Sequence, residues 1–323
     1  PRVKPMDICT ETYRGLLMIG DPHLESRVPG FRKDDYPRVV ISKVAWCLDF
    51  ARKNQLLAVF LGDLFNLPRD NANWLLGELM VHFHPAVLGI YGNHDVRQNE
   101  LAEDDSLDVL VKAGRYILLD GNPWVGRISG RPVIVGGTSW GRRLPASFDR
   151  DGLTDQSGLV FWVSHHDVRV PGYEDRGYFD PRQIPGIDVV VNGHIHRRLS
   201  DCPAGSTLWL TPGNIVRRNR SDATKEHVPA ALQIDIGPDT WRAHHLEVPH
   251  RPYDEVFYES VVPDLVAFGD ADAPRSAFVD GLAEMLARKT DTAAGLMAFL
   301  ELNLGQFDEA VAAEIRKLAE EIT

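Results

Sequence analysis

The sequence predicts an α/β fold in which two layers of mixed sheet are flanked by helices, and three observations carry that expectation. Short apolar runs rich in β-branched residues recur along the chain, each ending at once in glycine or polar residues. In the first half these runs alternate with longer segments of helical spacing, the pattern of a parallel sheet with helical crossovers. In the second half the runs lie closer together, as antiparallel or mixed strands do.

The expected strands are Leu16 to Ile19, Leu56 to Leu61, Val87 to Tyr91, Val133 to Val135, Leu159 to Val163 and Ile187 to Val191. Leu208 to Leu210, Ala231 to Ile236 and Ala243 to Val248 add the later ones. Val39 to Lys53 and Asn71 to His82 have helical spacing. From about Pro252 the character changes. Three amphipathic stretches follow, Ser276 to Lys289, Ala293 to Leu304 and Phe307 to Ile322, with Asp291 and Asp308 placed to cap the last two. The expected organisation is a catalytic domain over 1–251 and a helical appendage over 252–323. The appendage would serve packing or partner binding.

Bulk properties bound the function. With 323 residues, 44% hydrophobic and 25% charged, the chain has the composition of a folded globular protein. Cys9, Cys47 and Cys202 are odd in number and lack C-x-x-C spacing, which argues against a disulfide framework or a thiolate zinc site. No run approaches the roughly 18 apolar residues of a membrane span, and no basic stretch leads into an apolar one. The expected setting is the cytoplasm, with no membrane partner. A net charge of −11 speaks against a broad nucleic-acid-binding surface. It does not exclude a nucleic-acid enzyme, because bound metal can neutralise a carboxylate cluster.

Five polar clusters follow five of the expected strands: Gly20 to His23 (G-D-P-H), Gly62 to Asn66 (G-D-L-F-N), Gly92 to Asp95 (G-N-H-D), Ser164 to Asp167 (S-H-H-D) and Gly193 to His196 (G-H-I-H). Open α/β sheets place ligands beyond the carboxyl ends of their strands, so these clusters can converge. Their donors are oxygen and imidazole without sulfur, a set suited to Mn, Fe, Zn or Co rather than Ca. Each motif alone is weak. All five, in this order and each after an apolar run, form a strong signal.

These motifs, spread over about Leu16 to Asn214, resemble those of the calcineurin-like metallophosphoesterase superfamily. The resemblance implies a four-layer α-β-β-α sandwich with two mixed sheets, here followed by a C-terminal helical appendage. It also implies two divalent metal ions, with Mn first and Fe or Zn as alternatives. Asp21, His23 and His196 would bind one metal and Asn93, His165 and His194 the other, with Asp63 bridging them. A metal-bound hydroxide would then attack phosphorus in line. His94 would stabilise the transition state or protonate the leaving oxygen. Asp95 is a candidate to orient an imidazole, with a loop carboxylate or helix cap as the equal alternative. After the strand Leu159 to Val163, His165 is preferred over His166 as the ligand. Arg27, Arg97, Arg142, Arg143, Arg217 and Arg218 lie beyond strands or motif loops, where guanidinium groups can hold phosphate, although each is individually more often a surface residue. Thr211 to Asn214 (T-P-G-N) resembles the N-P-G-S-like turn after the last motif in many family members, a resemblance that makes Asn214 a candidate to face the site. His82, His84, His227, His244, His245 and His250 read as structural or surface residues.

Within the superfamily, G-D-L-F with G-N-H-D is similar to the SbcD-type DNA-repair exonucleases. That similarity points to a phosphodiester substrate with DNA as a candidate, and to an SbcC-type ATPase or a second copy as partner of the C-terminal helices. Such nucleases carry histidine after G-D-L-F, where this chain has Asn66, which puts processive exonuclease activity in doubt. The alternative is a small-molecule phosphodiesterase or nucleotide pyrophosphatase. Relatives resembling UDP-diacylglucosamine hydrolase share G-D-L-F but carry arginine at the place of His94. The Ser/Thr phosphatase pattern is not matched. A pure scaffold role, as in retromer-type relatives that have lost ligands, fits poorly with a complete ligand set.

Overall fold

The computed structural model describes residues 13–29, 32–150, 158–174, 177–218 and 222–258. The chain divides into two units, 1–259 and 260–323, and every described residue belongs to the first. The three expected C-terminal helices fall outside the described residues.

In chain order the elements are β1 (Gly15–Ile19), α1 (Tyr36–Lys53), β2 (Leu56–Phe60), α2 (Asn73–His82), β3 (Val87–Gly89), α3 (Ser106–Lys112), β4 (Tyr116–Leu118), β5 (Trp124–Ile128), β6 (Arg131–Thr138) and β7 (Leu159–Ser164). There follow β8 (Val189–Asn192), β9 (Cys202–Ala204), β10 (Thr207–Leu210), α4 (Asp222–Glu226), β11 (Ala230–Ile236), β12 (Trp241–Glu247) and α5 (Tyr253–Val256). They build two six-stranded sheets, ordered β12-β11-β1-β2-β3-β4 and β5-β6-β7-β8-β10-β9. Both are mixed. Strands β1 to β4 run parallel in the first sheet and β6, β7, β8 and β10 run parallel in the second, with antiparallel strands at the flanks.

Side-chain alternation explains why the sheets stack. In β1, Leu17 and Ile19 pack toward the helices while Leu16 and Met18 face the second sheet. In β7, Leu159, Phe161 and Val163 meet them from the other side, and Val160 and Trp162 point outward. A strand with period-two side chains and both faces buried has to be apolar throughout, and β1 and β7 are. Helices α1 to α3 cover the outer face of the first sheet. The outer face of the second is covered, among the described residues, by irregular chain carrying Val168, Val170, Ile184 and Ile195. The sandwich of two mixed sheets is therefore the expected one, with ordered loops as its fourth layer in the described part.

Helix α1 starts at Tyr36, earlier than its apolar periodicity indicates, because Asp35 caps it by accepting the Arg38 N–H and Pro37 fits the first turn. The short elements α3, β4, β5 and β9 are not foreshadowed by any run of the required length. At the end of the described chain, Val256 and Phe257 are buried, and the Lys33 N–H donates to the Val256 carbonyl.

One buried charge ties α1 to the loop behind the strand ends. Lys43 Nζ donates to the Ile215 carbonyl at 3.0 Å, and the Ile215 N–H donates to the Gly20 carbonyl. Burial, reinforced by the Arg217 charge, pushes the Lys43 ammonium down from 10.5 to about 8. Between those two pH values the unfolded chain holds more protons than the folded one, so stability rises with pH across that window, by roughly 3 kcal/mol in total. Lys43→Met should lack this rise. Urea midpoints of both proteins at pH 7.5 and pH 10 read the difference, and parallel pH slopes would contradict it.

Candidate metal centre

Parallel strands deliver the polar clusters to one place. Gly20 to His23 follows β1, Asp63 follows β2, Asn93 to Asp95 follows β3, His165 follows β7 and His194 follows β8. Two sets of donor atoms form there that could hold a metal ion: His23, Asp63 and His196, and Asp63, His165 and His194. Asp63 belongs to both. Its Oδ2 lies 3.2 Å from His165 Nε2 and 3.6 Å from His23 Nε2, and its Oδ1 accepts the His94 N–H at 2.8 Å. The Nε2 atoms of His23 and His196 are 2.8 Å apart. Asp21 belongs to neither set; its Oδ1 is 3.6 Å from His165 Nδ1.

The backbone here is bent in a way that side chains resist. Asp21, His23, Asp63 and His194 have φ of 38°, 47°, 48° and 43°, four of the seven non-glycine residues with positive φ among those described. Such left-handed residues cost about 1–3 kcal/mol each and persist where the surroundings hold them. Glycine permits the close approach. A Cβ on Gly92 would collide with Asp63 Oδ1, and one on Gly62, itself at φ 98°, would meet His165 Nδ1 at 2.5 Å.

Electrostatically the cluster lacks positive charge. Asp21, His23, Asp63, Asp95 and His165 are all fully buried. Burial, then Asp63 and Asp95, pushes the Asp21 carboxyl well above its usual range. Burial acts on Asp63 in the same direction, but the imidazoles around it, His165 first and then His23 and His94, hold it well below. Burial drives His23 well below its usual value and His196 down to about 3, so both present lone pairs at neutral pH. Both oxygens of Asp21, Oδ2 of Asp63 and Oδ1 of Asn93 are buried without a hydrogen-bond partner. Orphaned carboxylate oxygens and converging imidazole lone pairs are what a divalent cation satisfies, so the residues present fit the metals that the motifs imply.

The other residues singled out in the sequence divide. His165 reaches Asp63, whereas His166 Nε2 bonds the Arg142 carbonyl at 2.8 Å and its ring packs on Phe179. His94 is half-buried; its Nδ1 lies 2.8 Å from the Asn66 carbonyl and its ring stands edge-on to His23, centroids 4.8 Å apart. Asp95 touches no imidazole. Its carboxylate accepts the N–H groups of Leu64, Phe65 and Gly92, clamping two motif loops together. Burial and Asp63 push it up to about 8 against those three donors. Asn214 is buried behind His196, its amide donating to the carbonyls of His196 and Val216. It braces the loop that carries His196.

Among the arginines, Arg218 lies close enough to act on His23, Glu25 and Tyr36. Arg142 donates to Tyr91 Oη, and Arg217 donates to the carbonyls of His227 and Arg251. Arg27, Arg97 and Arg143 are exposed. Two further neighbours, Glu25 and Trp140, carry no motif signal, and Asp167 ends the S-H-H-D motif without its chain position naming a partner. Glu25 accepts the Asn66 amide at 3.0 Å, Trp140 packs on His194 with centroids 5.2 Å apart, and Asp167 Oδ1 lies 3.2 Å from His194 Nε2. Trp140 follows β6, as the clusters follow their own strands, and that position was the available signal.

Gly92→Ala is expected to displace Asp63 and weaken Mn binding by at least about tenfold, as other disruptions of ligand support do. Gly77→Ala, in α2 with no atom within 4 Å of the added Cβ, should leave binding unchanged and add about 0.5–1 kcal/mol of stability. Calorimetric Mn titration beside thermal melts checks both, and equal Mn affinity in the two variants would refute the steric argument.

The calcineurin-like phosphoesterase family model matches residues 16–198. No curated protein sequence matches the chain. Among solved structures, it is similar to the sulfate thiohydrolase SoxB of Thermus thermophilus at 12% identity and a TM-score of 0.40, covering 74% of this chain and 56% of that one. The chain thus spans little more than half of that enzyme's length. A hypothetical protein of Thermus thermophilus matches at 14% identity and 0.39, covering 72% of this chain and 99% of that one. Vacuolar protein sorting 29 of Cryptosporidium parvum matches at 13% and 0.31, covering 73% and 97%. With the family model spanning more than half of its length, this chain belongs to the calcineurin-like phosphoesterase family.

Proposed function

We propose that the chain is a dinuclear metal-dependent phosphodiesterase, and the observation that carries this reading is the pair of donor sets sharing Asp63. Asp21, His23 and His196 would hold one ion, Asn93, His165 and His194 the other, and Asp63 both. Mn fits the oxygen and imidazole donors, as do Fe and Zn. Bound, the two ions would supply Lewis-acid polarisation of a phosphate and lower the pKa of a water.

The remaining work falls to side chains. The Asn66 carbonyl fixes the proton of His94 on Nδ1 and leaves Nε2 at the half-buried edge of the ring. Doubly protonated, with its second proton on Nε2, His94 would from there pass that proton to the leaving oxygen or donate a hydrogen bond to the phosphate. Arg218, near His23 and Glu25, supplies positive charge on the same side.

A nuclease-like activity on DNA is the first substrate reading, from the motif resemblance. A small-molecule phosphodiesterase or pyrophosphatase gains from one observation. Asn66, which stands where the nucleases carry histidine, is buried at 4% exposure and its amide is committed to Glu25. A carboxylate at that place repels a polyanionic strand more than a small ester.

The test is hydrolysis of bis-p-nitrophenyl phosphate, p-nitrophenyl phosphate, and single- and double-stranded DNA by the Mn-reconstituted full chain. Diesters should be cleaved faster than the monoester; inactivity on all four would end the phosphodiesterase reading. Elemental analysis should find two ions per chain, and Asp63→Ala should lose both metal and turnover. His94→Ala should lower kcat by about 10²–10⁴-fold with its metal content intact. Parallel loss of metal and activity in that variant would make His94 a ligand.

A further inference from the structure

The cluster at Ser164 to Asp167 ends in a carboxylate for which the proposed chemistry has no use. Asp167 is largely buried, its side chain 14% exposed, and its Oδ1 stands 3.2 Å from Nε2 of His194, within hydrogen-bonding distance. The other ring nitrogen of His194 faces His165 Nε2 at 3.2 Å. A neutral imidazole has one N–H and one lone pair, and a carboxylate can only accept. The nitrogen beside Asp167 therefore carries the proton, and Nδ1 turns its lone pair into the donor set.

His165 presents the opposite nitrogen. Its Nδ1 lies 2.8 Å from the Leu61 carbonyl, while its Nε2 faces both His194 Nδ1 and Asp63 Oδ2 at 3.2 Å. Two imidazole nitrogens and a carboxylate oxygen thus converge on one point, an arrangement that favours a cation. Trp140 packs against the His194 ring in a tilted contact, interplanar angle 34°. In the other donor set, His23 Nδ1 is buried without a hydrogen-bond partner, so no acceptor selects its tautomer.

Resting on the metal-centre reading above, we infer that Asp167 is a positioning residue that holds His194 as the Nε2–H tautomer and thereby raises metal affinity at the His165 and His194 site. Asparagine has the same shape but offers a donor as well as an acceptor, so Asp167→Asn removes the selection and keeps the packing. A tautomer-setting role differs from a structural one in its spectroscopic signature.

The experiment records imidazole ¹⁵N spectra of the metal-free full chain, with His194 assigned through a His194→Gln variant, alongside calorimetric Mn titration. Wild type should show His194 protonated on Nε2. Asp167→Asn should show mixed tautomers, and one of two Mn sites weakened about 10–100-fold, the usual loss when such a partner is removed, with an unchanged circular dichroism spectrum. Asp167→Glu, which keeps an acceptor-only group, should recover part of the affinity. A wild-type His194 protonated on Nδ1, or an Asp167→Asn protein with wild-type Mn affinity, overturns the inference. Wild type that binds no Mn defeats the two-metal reading and the affinity claim, while the ¹⁵N spectrum still decides the tautomer. If Asp167→Asn does not fold, the wild-type spectrum and Asp167→Glu titration decide alone.

Discussion

Asp63 is the group on which the rest of the structure depends. A carboxylate removed from water is costly unless it is paired and hydrogen-bonded, and Asp63 is fully buried between imidazoles from both sheets. One oxygen is satisfied by the His94 N–H, while the other is offered to the two donor sets. Asp21 and Asp95, equally buried, add to the local negative charge, and burial together with the Asp63 charge pushes the carboxyls of both upward. The protein compensates Asp95 with three backbone N–H groups and leaves Asp21 with none. Charge deficiency at this place is thus built in and local, and it makes a cation the natural completion of the fold.

The two sheets exist in the form they do because both must end at that carboxylate. Parallel strands in each sheet point their carboxyl ends the same way, so the motif loops meet at one edge of the sandwich. The inter-sheet core of Leu16, Met18, Val59, Phe161, Val163 and Val191 fixes the spacing between them. Burying such side chains stabilises by about 1.5–3 kcal/mol each, which offsets the left-handed residues and buried charges concentrated a few residues further on. Strain tolerated at Asp21, His23, Asp63 and His194 is therefore held by packing that has no chemical role.

Much of this was legible in the sequence, for physical reasons that also explain the omissions. Strands such as β1, β7 and β8 are apolar on both faces and stand out from any background, and the polar residues after them inherit their positions from the ends of the strands. The elements α3, β4 and β9 are too short to show a period, since three to seven residues seldom complete one. Of the two readings of Asp95, its hydrogen bonds are those of the loop carboxylate, and the choice was not legible because sequence proximity to His94 says nothing about which neighbours a carboxylate reaches. Its partners, Leu64 and Phe65, lie about thirty residues away in the adjoining loop. Glu25 and Trp140 lie outside the motifs, and the partner of Asp167 was not legible, because only the folded chain brings these residues against Asn66 and His194.

The acidity of the whole chain bears on the same site. At a net charge of −11, the surface offers an approaching anion little general attraction, because long-range steering depends on summed charge. Attraction must then be local. On the reading proposed above, two divalent cations would add four positive charges beside the carboxylates of Asp21 and Asp63, and Arg218 would extend that field toward Glu25. Such a field is concentrated in the low-dielectric edge of the sandwich and decays within about a Debye length, roughly 8–10 Å at moderate salt. It can hold a single phosphate group firmly, but it cannot track a long phosphate backbone without further cations along the path. Exposed arginines follow β1, β3 and β6 along the chain, Arg27, Arg97, Arg142 and Arg143, and an extended substrate would need cations of that kind along its path.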